Sequence, residues 1–173
     1  MKLTYKVLHF FILAACLILQ IAFVENLKLF SVNFDLILVT VVAISLMDGV
    51  IFGAFCGFAA GILLDLMAGG GIVGISAFAY AASAFIAGKL VEAGLKQRIL
   101  SFTFIIFLVT EINLILVSII HYLFNFNIAI SELGLELLVK PVCNIILMLV
   151  IFPLIRIGMH REYVIGFNNK EKT

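Results

Sequence analysis

The chain has 173 residues, 65% of them hydrophobic and 12% charged, with a mean hydropathy of +1.30 and a net charge of +1. An ordinary soluble domain is nearer half apolar and a quarter charged, so a water-soluble fold of this length is excluded. Near-neutrality provides no overall field to draw in nucleic acid, and apolar runs that are continuous instead of alternating exclude a barrel. The fold class expected is all-α: a single polytopic membrane domain covering residues 1–173.

A membrane span needs about 20 apolar residues. Lys2 and Lys6 precede the first run, Val7 to Val24, which Gln20 interrupts. That run exceeds a signal-peptide core and ends in Ala22-Phe23-Val24-Glu25 without a small-x-small cleavage site, so it reads as an uncleaved first helix. Glu25 to Asn33 forms its polar exit. Phe34 to Leu66 is too long for one crossing, and Asp48-Gly49 in its middle is a turn signal. It divides into helices at about 35–47, with Asp35 as a capping carboxylate, and 50–67. A triple glycine, Gly69 to Gly71, leads to a fourth helix at about 72–91. The charged linker Glu92, Lys96 and Arg98 precedes a fifth at 99–121. Residues 122–133 turn the chain into a sixth, 134–155, in which Pro141 and Pro153 are tolerated as kinks.

Six crossings with both termini inside put Lys2, Lys6, Lys89, Lys96, Arg98, Arg156, Arg161, Lys170 and Lys172 in the cytoplasm. Only Lys28 is left outside, and Lys140 falls within the last helix. This obeys the positive-inside rule. Merging 34–66 into one helix would flip the Lys89–Arg98 linker outward and break it. The helix at 35–47 is short, so it is expected to tilt, thin the bilayer or be partly re-entrant.

Gly49, Gly53, Gly57 and Gly61 fall at every fourth position, and Asp65 takes the next place. Such spacing strips one helix face of side chains and lets another backbone approach. The strip also winds slowly around a helix of 3.6 residues per turn, so one neighbour can use its lower part and another its upper part. Asp65 sits at a helix C-terminus, where the dipole disfavours an anion. The amides of Gly69 to Gly71 and of the start of the fourth helix can supply donors, which makes Asp65 a cap for the hairpin in preference to an ion ligand.

Glu111 lies near the middle of the fifth helix beside Asn113, and the antiparallel sixth helix brings Asn144 to similar depth and Lys140 one turn outward. A Glu111–Lys140 or Glu111–Asn144 contact is expected to staple these helices. Glu136 and Lys140, four apart, are expected to form a local ion pair. Cys16, Cys56 and Cys143 sit in apolar runs without a Cys-x-x-Cys and read as small buried hydrophobes. His9, His121 and His160 show no metal-ligand spacing, and no nucleophile, zinc or phosphate-cradling motif is present. Neither catalysis nor a cofactor is expected.

The run from Asp35 to Gly53-x-x-x-Gly57-x-x-x-Gly61-Ile-Leu-Leu-Asp65, then Gly70, Gly74-Ile75-Ser76-Ala77, Ala87-Gly88-Lys89 and the closing Phe152-Pro153-Leu154-Ile155-Arg156, resembles the rod shape-determining MreD family. Phe34 and Asp48 depart from its pattern, which often has proline and a basic residue there. The resemblance implies a non-enzymatic protein of the bacterial cell membrane. It would link wall synthesis to the cytoskeleton beside MreC, the actin-like MreB, RodA and its penicillin-binding transpeptidase. Another small six-helix class, the substrate-binding components of energy-coupling-factor vitamin transporters, also resembles the layout. It would need several convergent polar groups for a solute, and the outer loops offer mainly Asn125 and Asn127.

Overall fold

The computed structural model describes residues 2–22, 28–29, 32–68, 72–94, 99–124 and 130–157. Among the described residues six helices form one bundle: α1 (Lys2–Ala22), α2 (Leu36–Asp48), α3 (Val50–Ala68), α4 (Ile75–Glu92), α5 (Ile99–Leu123) and α6 (Ile130–Ile157). By length and apolarity, three stretches among the described residues are candidate membrane spans: Val50–Met67, Ile75–Glu92 and Ser101–Leu123.

Helix ends differ from the expected ones because hydrophobic runs mark where lipid begins, not where backbone hydrogen bonding stops. The first helix starts at Lys2 instead of residue 7, and the sixth covers 130–157 instead of 134–155. The fourth begins at Ile75, since Gly74 takes a left-handed φ of 115° and ends the preceding turn. A two-stranded antiparallel hairpin, β1 (Lys28–Leu29) and β2 (Val32–Asn33), occupies the predicted polar exit.

The bundle is built around α2. Its side chains from Ile37 to Ser45 are almost wholly inaccessible, and it packs on α1, α3, α4, α5 and α6. Thirteen residues give a helix of about 20 Å, short of the ~30 Å hydrocarbon core. Enclosure by other helices means that protein, not lipid, meets its flanks, so the expected tilt or bilayer thinning is not required. Polar side chains inside α2 bond to backbone: Thr40 Oγ1 donates to Leu36 O (2.7 Å) and Ser45 Oγ to Ala84 O of α4 (2.6 Å).

The glycine series is consumed inside the chain. A Cβ on Gly53 would meet Ser45 of α2, with its Oγ at 2.8 Å. On Gly57 it would meet the Tyr80 carbonyl oxygen of α4 at 2.8 Å and Val41 Cγ1 of α2 at 2.9 Å. On Gly61 it would meet the Ala77 backbone, with the Ser76 carbonyl carbon at 2.6 Å. The lower part therefore serves α2 and the upper part α4, with Gly57 shared. Gly49 stands outside this packing: with a φ of 100° and open space around it, it ends α2 and starts the turn into α3. An unassigned fifth member, Gly88 of α4, takes up a similar close contact with Ser45 and Val50.

Candidate functional site: a buried polar network and an outward carboxylate

The side chains that sequence reasoning singled out separate into four places. At one end of the α3–α4 hairpin, Asp65 Oδ2 accepts from the Gly74 amide (2.7 Å) and the Ser76 amide (3.2 Å). Gly74 has no side chain with which to cap α4, so Asp65 caps it from the neighbouring helix and meets the positive end of its dipole. Gly70, with Gly69 and Gly71, lies outside the described residues.

At the start of α2, Asp35 is the hub of a network the sequence did not reveal. Its Oδ1 accepts from the Leu38 amide (2.9 Å), closing the N-cap, and the buried Tyr80 hydroxyl lies 3.2 Å from both carboxylate oxygens. The Asp35 amide donates to Asn144 Oδ1 (3.2 Å), and Asn144 Nδ2 donates to Thr110 Oγ1 (3.1 Å). Gln20 of α1 accepts from the Leu36 amide (2.9 Å) and donates to Phe34 O (3.0 Å). Asn113 Nδ2 donates to Ser83 Oγ (3.1 Å), tying α5 to α4. Five helices thus meet at the N-terminus of α2, and donors and acceptors there satisfy one another.

At the other end of α2, fully buried His9 of α1 bonds through Nδ1 to Asp48 Oδ2 (2.5 Å). Among the described residues His9 Nε2 has no partner, consistent with a ring that donates from Nδ1 and leaves a bare acceptor at Nε2. A polar residue in an apolar run is a signal that a partner must exist, but sequence reasoning took Asp48 only as a turn and Gln20 only as an interruption, drew no partner for His9 and passed over Tyr80. Which partner was not written locally, because each contact joins separate helices. His9→Ala is expected to lower stability by roughly 2 kcal/mol, since it strands a mostly buried carboxylate. The shift would be read from thermal unfolding in detergent, with Asp48→Asn as the companion variant.

The expected Glu111 staple is not formed. Among the described residues no hydrogen bond or ion pair joins Glu111 to Lys140 or Asn144, and Glu136 does not pair with Lys140. The Asn144–Thr110 bond shows why. It sets Thr110 into the α5–α6 interface, and the next residue along a helix is turned by about 100°. Glu111 consequently falls among the exposed Phe104, Phe107, Ile115 and Ile119, with the buried Ile105, Ile106, Val109 and Asn113 on the inner side. An ionised carboxylate at the centre of a membrane helix costs about 3 kcal/mol on insertion scales.

Among the described residues no three His, Cys, Asp or Glu side chains gather as a metal site, and the cysteines form no disulfide with one another. The arrangement is one of internal cross-links around a filled core, with outer faces left for contact. Comparison with protein-family models, curated proteins and solved structures gives no match for this chain. Fold and side-chain geometry define its class: a small helical-bundle protein carrying candidate membrane spans.

Proposed function

We propose that the chain is a six-crossing scaffold of the bacterial cytoplasmic membrane, with both termini in the cytoplasm. It serves the cell-wall elongation machinery in setting rod shape, as its resemblance to the MreD family implies. It has no reaction of its own and acts by holding MreC, MreB, RodA and the penicillin-binding transpeptidase in one assembly. The observation that carries this reading is the use of interior polar groups on one another: Asp35, Tyr80, Asn144, Thr110 and Gln20 form a closed set around α2. A solute-binding component needs convergent polar groups free to meet its ligand. The glycine series likewise serves α2 and α4, so partners must be met on other faces.

Depletion of the protein in a rod-shaped host that encodes it tests the proposal. Cells should round up, and MreC should co-purify with the tagged chain. Cells that remain rods, with no MreC recovered, would overturn it; loss of vitamin uptake instead would favour the transporter component.

A further inference from the structure

We propose that the outward face of α5 centred on Glu111 is a docking surface for a transmembrane helix of another protein that carries a lysine or arginine near mid-membrane. Glu111 lies about 15 Å from one end of the candidate span Ser101–Leu123 and about 18 Å from the other. It therefore cannot reach either interface as a long basic side chain would. On its own face it is flanked one and two turns away by exposed apolar side chains, Phe104, Phe107, Ile115 and Ile119. It has no hydrogen-bond or ion-pair partner among the described residues.

Charge complementarity selects the occupant. A carboxylate in hydrocarbon and a cation in hydrocarbon are each costly alone, and each lowers the other's penalty when two helices bring them together. The large apolar residues on either side supply the van der Waals contact that such an association requires. A second copy of the chain is a poorer occupant, because its one basic residue near this depth is on the wrong side. The outward stripe of α6 is Leu138, Val142, Ile146 and Leu149, all exposed. Lys140 instead precedes buried Asn144 by one turn, on the inner flank. The inference extends the scaffold proposal by assigning it a contact face, and its test involves no component of the elongation machinery, so the two can fail separately.

The test uses the full chain, donor-labelled and reconstituted in phosphatidylcholine vesicles, with acceptor-labelled Leu/Ala host helices of about 20 residues. One host carries a central lysine, one a central leucine and one a central glutamate. Energy transfer should report at least about ten-fold tighter association with the lysine host than with the leucine host. Glu111→Leu should erase that preference, and Glu111→Lys should transfer it to the glutamate host. Because the half-buried Glu111 makes no hydrogen bond or ion pair among the described residues, Glu111→Leu should keep the unfolding temperature of the parent, which separates lost docking from lost fold. Equal association with the lysine and leucine hosts, or a preference that survives Glu111→Leu, would overturn the proposal. So would transfer between copies of the chain that depends on Glu111 and excludes the lysine host.

Discussion

Gly61→Ala is expected to destabilise the bundle by about 3 kcal/mol, the upper end of the usual cost of overpacking. The added methyl group would fall on the backbone of Ala77, which cannot swing aside as a side chain can. Relief requires α3 and α4 to separate, and these two helices share the most extensive packing in the molecule. Separation would also pull Asp65 away from the Gly74 and Ser76 amides it caps. Reversible unfolding in mixed detergent micelles measures the loss. Gly134→Ala is the control: nothing lies within 4 Å of a Cβ there, and removing a helical glycine should stabilise by up to ~1 kcal/mol. Equal effects at both positions would mean that the close approach of α3 and α4 is not what Gly61 provides.

Asp35→Ala should have an effect of similar size from a different cause. It removes the N-cap of α2, worth about 1 kcal/mol. It also strands the Tyr80 hydroxyl in a dry interior, for about 1–3 kcal/mol more. Tyr80→Phe removes the stranded group, so Asp35→Ala combined with Tyr80→Phe should cost clearly less than the two single changes added together. Strict additivity in that cycle would show that the two side chains do not share a contact.

Much of the architecture is legible from residues alone. The Asp48-Gly49 turn, the spacing of Gly53, Gly57 and Gly61, and the cap formed by Asp65 with the start of α4 each follow from local chemistry. Helix α2 shows where that legibility stops. In a water-soluble protein a helix apolar on every side is a buried helix. In a membrane the same composition suits lipid equally well, so Leu36-Ile-Leu-Val-Thr-Val-Val-Ala-Ile-Ser-Leu-Met47 does not announce that it is the core. Glu111 shows a second limit. Depth along two antiparallel helices correctly brought Asn144 level with the middle of α5, yet rotation about the helix axis decides which residue faces the neighbour. Thr110 took that position, one residue away. Gln20 and His9 were visible as polar residues in an apolar run and Tyr80 was passed over, and pairing all three required the fold.

Helix α2 is sealed by its neighbours, so only the outer faces of the bundle remain for partners. Photolabelling with a carbene precursor dissolved in the bilayer, followed by peptide mass spectrometry, measures this on the unmodified protein. Adducts are predicted on Phe55 and Phe58 of α3, Phe104 and Phe107 of α5, and Ile146 and Leu149 of α6, all of which are exposed. The segment from Ile37 to Ser45 should remain unlabelled. Labelling along α2 at the density found on α5 would contradict the account.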